Sequence, residues 1–377
     1  MATILTPQEI ARRASLRLQS TLNFGGLVYL DYSEDFQKVG DTVNVKVPAT
    51  FTADEFSGTT SVQAITEGSV PIVMNVLADV SVNVTAKEMT LDIDDFETQV
   101  IDGAVLAIKE LIDQKLAGLY VEIPSFTGVA GVTPSTLKTG FTNPRKVLNI
   151  AKVPMGDRAV VFDPEAEAEL LNLDAIVNAD KANSDMALRE GFMGKIMGMD
   201  TFMNQNVQTH VAGGYTALAD VTITTGAAGA TSIILTSGAG AAVTKLLKGD
   251  IFTLDDVQYT VTADTAAAIA GVVTVGIYPA LPVAFGAMTA VTVAFADVSS
   301  RAHVANLAFH KNAFALVSRP LETPMDGSVS SYTTAVGGVA VRVTTSYNSS
   351  TKTNSISFDA LFGVKTIQPE LATRILG

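Results

Sequence analysis

Between Phe96 and Tyr120 the apolar residues Phe96, Val100, Ala104, Ile108, Leu111, Ile112, Leu116 and Leu119 recur at helical spacing. Asp92, Asp94 and Asp95 precede the run, and Pro124 and Gly128 follow it. Acids complement the positive end of a helix, and proline and glycine stop one. The pattern predicts a single helix of about 40 Å at 1.5 Å per residue. A helix of that length needs an elongated partner to bury its stripe. The segment just before it, Asp79 to Ile93, alternates apolar and polar residues as a half-buried strand does. A long helix beside an elongated sheet is therefore the architecture to expect.

Two further runs alternate in the same way. Val43, Val45 and Val47 follow Gly40-Asp41, and Val70, Ile72, Met74 and Val76 follow a polar stretch from Thr52 to Ser69. Two strands of about eight residues would reach more than about 25 Å, so a long hairpin is predicted, stable only when laid on something else. At the N-terminus, Thr6-Pro7-Gln8-Glu9 places a hydroxyl, a proline and an acid where a helix begins. The helix should run from about Pro7 to Leu22, with Ile10, Ala14, Leu18 and Leu22 as its apolar stripe and Arg12, Arg13 and Arg17 as a basic face.

From Asn143 to His210 the signals are those of an α/β unit. Asn143-Pro144 and Asp163-Pro164 are helix starts, and Ala159-Val160-Val161-Phe162 is a buried strand between them. Composition then shifts. From about Thr216 to Asp297 the chain is rich in Ala, Gly, Thr and Val, with strand-like runs at Ser232–Thr236, Ile251–Leu254 and Gln258–Thr262. No charged side chain stands between Thr265 and Ala296, yet Pro279, Pro282 and β-branched runs at 272–277 and 291–295 argue for short strands and against a membrane span. The earlier style resumes at Ala302–Val317, and two strand-like runs, Gly338–Tyr347 and Ser355–Phe362, follow. An all-β insertion interrupts one domain. A chain of 377 residues exceeds one compact core, so several domains are expected.

Hydrophobic residues make up 47% and charged residues 17%, with mean hydropathy +0.32. That little charge cannot cover a large solvated surface, which favours burial in subunit contacts. A net charge of -13 disfavours nucleic-acid binding, because such a protein repels phosphate backbones. Cysteine is absent, which excludes disulfides, thiolate metal sites and thiol nucleophiles. The N-terminus does not read as a signal peptide, and a reducing cytoplasm is the simplest home. His210, His303 and His310 supply the only imidazoles. Seven apart, His303 and His310 share a face on a helix but oppose each other on a strand, and no HExxH, phosphate loop or nucleophile elbow accompanies them. Gly238-Ala239-Gly240 lacks the rest of a dinucleotide fingerprint and reads as a loop. Glu165, Glu167 and Glu169 open a helix, where they serve its dipole. No enzyme, metal or cofactor is expected.

The stretches LTPQEIARRASLRLQSTLNF with LVYLDYSEDF, GDTVNVKVPATFTADEF, DVSVNVTAKEMTLDIDDFETQVI and NLAFHKNAFALVSRPLETP resemble the major capsid proteins of tailed bacteriophages. The fold this implies is α+β and HK97-like, in the branch with an inserted all-β domain. The resemblance implies an N-terminal arm at 1–39, an extended hairpin loop at 40–78, and a peripheral domain with the spine helix at 79–142. It implies an axial domain at 143–215 returning at 299–327, the insertion at 216–298, and C-terminal peripheral strands at 328–377. It places Arg12, Arg13, Arg17, Phe51, Asp54, Glu55, Phe56 and Glu67 at contacts between subunits. The partners implied are further copies of the chain in hexamers and pentamers, a separate scaffolding protein, a portal, a decoration protein, and enclosed double-stranded DNA bound without sequence specificity. The implied location is the virion capsid, assembled in the host cytoplasm. Competing readings are an encapsulin-like nanocompartment shell and, in another class, a bacterial surface protein built from β-domains.

Overall fold

The computed structural model describes residues 7–21, 24–30, 42–47, 55, 68–85, 100–177, 186–215, 221–237, 243–269, 271–285, 294–295, 302–322, 324, 329–336 and 339–377. The chain begins with α1 (Pro7–Thr21), β1 (Thr42–Val47), β2 (Gly68–Val73), β3 (Val76–Thr85) and α2 (Asp102–Ala117). Next come β4 (Phe126–Thr127), α3 (Asn143–Ile150), β5 (Arg158–Phe162), α4 (Pro164–Leu171), α5 (Asp174–Val177), α6 (Met186–Glu190), β6 (Lys195–Ile196), β7 (Met199–Met203), β8 (Thr209–Val211) and β9 (Gly214–Tyr215). The Ala/Gly-rich stretch forms β10 (Val221–Thr225), β11 (Ser232–Ser237), β12 (Val243–Lys245), β13 (Ile251–Leu254), β14 (Val257–Val261), β15 (Val272–Tyr278) and β16 (Ala294–Phe295). The last strands are β17 (Ala302–His310), β18 (Phe314–Arg319), β19 (Val329–Val336), β20 (Val339–Asn348), β21 (Thr353–Thr366) and β22 (Ala372–Leu376).

Two compact units result, one of residues 1–112 with 314–367 and one of 113–313 with 368–377. In the first, β21 is the backbone of a five-stranded antiparallel sheet ordered β18-β21-β20-β19, with β3 on the other edge of β21. β3 pairs with it from Thr85↔Thr353 to Val76↔Phe362, as the alternation from Asp79 predicts up to Thr85, while the rest of that run to Ile93 lies outside the described residues. α1 lies against β19 and β20. Its Ile10, Ala11, Ala14 and Leu18 are buried, as the stripe requires.

The hairpin is real and is seated on its own chain. β1 and β2 pair antiparallel from Thr42↔Val73 to Val47↔Gly68. Val45 and Ile72 are 0% exposed and pack with Met74, Ala315 and Val317. Gly68 and Ser69, which the sequence counts with the polar stretch Thr52 to Ser69, belong to β2. α2 is described from Asp102 and continues as a 3-10 turn, Gly118–Glu122. The expected start of that helix, near Asp94, lies outside the described residues.

In the second unit a seven-stranded sheet runs β4-β22-β17-β5-β7-β6, with β8 also on β17. β17 sits between β5 and β22, so the chain returns to the same sheet after the insertion. The insertion forms an antiparallel sheet ordered β10-β11-β15-β14-β13-β16 around Ile223, Leu235, Phe252, Tyr259 and Val275. α3 and α4 cover the seven-stranded sheet through Leu148, Ala166 and Leu170, which meet Ala308 and Ile375.

Two boundaries differ from the sequence reading. β18 belongs to the first unit's sheet, so the return at 299–327 ends at Ala313. β22 lies inside the second unit's sheet, so residues 328–377 divide between the two units. β17, β18 and β22 are all apolar runs buried on both faces, and such runs carry no mark of which sheet they will join. α3 starts at Asn143 as expected, and a π turn, Lys138–Thr142, leads into it, with Thr136 and Thr139 exchanging backbone-to-hydroxyl bonds at 3.1 Å each. Asp163 caps α4 as expected, its carboxylate accepting from Glu165 N at 3.2 Å.

Candidate functional site

The chemistry-bearing side chains of the second unit converge where the insertion meets the seven-stranded sheet. β8 and β17 pair His210 directly opposite His303, with ring centroids 5.1 Å apart. On β17 His303 and His310 do not come together, and the partner of His303 is His210. His310 stands elsewhere on β17, where its Nδ1 lies 3.2 Å from the Asn312 amide.

Around His210 the bonding is continuous. Its Nδ1 lies 2.9 Å from the Tyr120 hydroxyl and its Nε2 2.9 Å from Asp250 Oδ1. Asp250 also accepts from Gly213 N at 3.1 Å and Leu247 N at 2.8 Å, both through Oδ2. Arg374 is 0% exposed and its guanidinium sits 5.4 Å from the Tyr120 ring centroid. It donates to Ile123 O at 2.8 Å, Gly249 O at 2.6 Å and Thr260 Oγ1 at 2.8 Å. A buried cation is tolerable only when its donors are met, and here they are met mostly by carbonyls.

Electrostatics follow burial. Desolvation pushes Arg374 down to about 9, opposed by the nearby Tyr120 and Asp250. It pushes the Tyr120 hydroxyl up, Arg374 acting against it. His303 falls to about 3, through burial first and then His210 and Arg374. The backbone is adapted too: Gly249 has φ +95, and a Cβ there would stand 2.8 Å from Val121 Cγ1 and 3.2 Å from His210 Cε1.

A tyrosine, a histidine and an aspartate in series suggest proton transfer, but all three side chains are buried among the described residues. The adjoining depression of about 760 Å³ is lined by Phe126, Lys146, Ile150, Asp256 and Gln258 among others, and by none of the cluster's polar side chains. A phenol whose pKa is raised is also a poor nucleophile at neutral pH. Among the described residues no group of His, Cys, Asp and Glu could hold a metal ion. What the arrangement does is hold two sheets together. Gln258 adds a two-way bond to the Phe126 backbone at 3.0 and 2.9 Å, Tyr278 donates to Glu370 at 2.9 Å, and Ile251 packs with Ala130 and Leu376.

Of the residues proposed for subunit contacts, Arg12 and Glu55 are exposed. Arg13 pairs with Glu9 at 3.7 Å and Arg17 with Asp102 at 3.2 Å, so two of the arm's cations engage their own chain. Phe51, Asp54, Phe56 and Glu67 lie outside the described residues. Reading the sequence missed Arg374, Tyr120 and Asp250. A usable signal existed in Ala372-Thr373-Arg374-Ile375-Leu376, a lone cation inside an apolar strand.

Among solved structures, a chain titled Mycobacterium phage Che8 aligns over 94% of this chain and 90% of its own, with TM-score 0.52 and 15% identity. With the element order above, that likeness decides the architecture. The chain has the HK97-like fold. Lower likenesses are to the capsid structure of cyanophage P-SCSP1u, TM-score 0.48 at 12% identity over 89% and 83% of the two chains, and to a virus-like particle from Pyrococcus furiosus, TM-score 0.40 at 8% over 97% of each. No family model and no curated protein matches the sequence. Within this HK97-like fold the insertion is fastened to the seven-stranded sheet by the Arg374 cluster. No helix among the described residues is long and apolar enough to cross a membrane.

Proposed function

We propose that this chain is the major capsid protein of a tailed bacteriophage, which assembles in many copies into an icosahedral shell around double-stranded DNA and has no catalytic role. The observation that carries the proposal is the HK97-like fold, shared along nearly the whole chain with a phage protein. The net charge of -13 suits a container whose wall should not bind its contents tightly. In this reading Arg12, Arg13 and Arg17 of the arm, and Phe51, Asp54, Glu55, Phe56 and Glu67 of the hairpin connection, meet neighbouring subunits. Each contact would bury on the order of 1,000 Å². Engagement around closed rings makes many such contacts act together. A separate scaffolding protein, a portal and a decoration protein are the expected partners, with assembly in the host cytoplasm.

Negative-stain electron microscopy of the chain, expressed alone and with its neighbouring genes, tests the reading. Hollow shells tens of nanometres across are expected from their many-copy closed symmetry. A uniform small oligomer under both conditions would overturn it. Shells that retain a cellular enzyme in place of DNA would assign the chain to a nanocompartment.

A further inference from the structure

Charge is distributed over α3 and α4 in two opposite blocks. From Lys138 to Gly156 the chain carries Lys138, Arg145, Lys146 and Lys152 and no acid, within a protein of net charge -13. From Asp163 to Asp174 it carries Asp163, Glu165, Glu167, Glu169 and Asp174 and no base. Lys146, Glu165 and Glu169 are exposed, and Arg145 is half-buried. Among the described residues none of these four takes part in an ion pair. Glu165 and Glu169 stand one helical turn apart, where like charges repel and destabilise a helix. The start of the helix favours these acids through its dipole, and cations supplied from outside would relieve the repulsion between them.

The basic block has the shape and composition of a receiving surface. Thr142, Arg145, Lys146, Asn149, Ile150 and Met197 line a shallow depression of about 570 Å³. Ile150 is 70% exposed, a large apolar side chain in water beside two cations. Apolar centres with charged rims mark protein contacts, and complementary rims choose the partner and the register.

We propose that the α3 face of one copy receives the acidic face of α4 from a second copy, with Arg145 and Lys146 opposite Glu165 and Glu169 and Ile150 covered between them. Because one chain carries both faces, the contact is head-to-tail and repeats around a ring. This rests on the capsid reading, for which it names a subunit-to-subunit contact.

Reversing one face at a time tests it. The variant R145E/K146E sets acid against acid, and E165K/E169K sets base against base. Each should lower the yield of shells, or of rings, at least about tenfold, since juxtaposed like charges cost several kcal/mol. The four-fold variant R145E/K146E/E165K/E169K restores complementarity with the signs exchanged and should recover assembly. Circular dichroism melting identifies any variant that fails to fold. For such a variant, zero-length carbodiimide cross-linking of wild-type oligomers replaces it, with Lys146 joined to Glu165 or Glu169 of an isotopically distinct copy as the expected product. Normal assembly of both single-face variants, a folded four-fold variant that stays unassembled, or absence of that cross-link would overturn the contact. Wild-type shells in the same experiment would leave the capsid reading standing, so the two failures are distinguishable.

Discussion

Arg374 concentrates the energetics of the second unit in one side chain. Its neighbours in β22, Ala372, Ile375 and Leu376, are buried hydrophobics, and its guanidinium meets the carbonyls of Ile123 and Gly249 and the hydroxyl of Thr260. Replacing it with methionine keeps much of the volume and leaves those acceptors without a donor. Arg374→Met should cost about 3–5 kcal/mol, the range for breaking a buried charged network, seen as a lower urea midpoint. His303 acts through pH. Its folded pKa of about 3 lies below the unfolded 6.5, so between those values the unfolded chain binds the extra proton. Stability is therefore complete above 6.5 and lost as pH falls toward 3, by up to about 1.4 kcal/mol per pH unit. His303→Leu should flatten the dependence of the urea midpoint on pH across that window.

At the scale of elements, the hairpin and the insertion show the same logic. A two-stranded hairpin does not hold its shape in water, and β1-β2 is held by Val45 and Ile72 against Ala315 and Val317. Ile72→Ala should destabilise the chain by about 2–5 kcal/mol, as large-to-small changes in closed cores do, and calorimetry would register it. The strands themselves were legible, because alternation at Val43 to Val47 and at Val70 to Met74 is a local property. Their seat was not, since Ala315 and Val317 lie far along the chain. The insertion was legible by composition. Its fastening by Asp250, Gly249 and Gln258 was not, because each of those residues reads alone as an ordinary turn or surface residue.

At the scale of the whole molecule, the proposed function assigns the hairpin connection to assembly. Residues 52–67 precede β2, whose first pairs are Gly68↔Val47 and Ser69↔Lys46. Replacing 52–67 with a short turn should leave the pairing and the melting temperature close to those of the full chain while abolishing closed shells in electron micrographs. Normal shells from that variant would remove the connection from the proposed contacts.

The sequence by itself determined element type and order: α1 from its stripe, the hairpin strands and β3 from their alternation, α4 from Asp163-Pro164, and the β-rich insertion from its composition. These rest on periods and caps that act over a few residues. Tertiary structure alone decided which sheet each apolar strand joined, as β18 and β22 show, and which histidines met. It also decided that a lone arginine in β22 would clamp the insertion. Strand pairing and burial join residues hundreds of positions apart, and a local pattern carries no record of such partners.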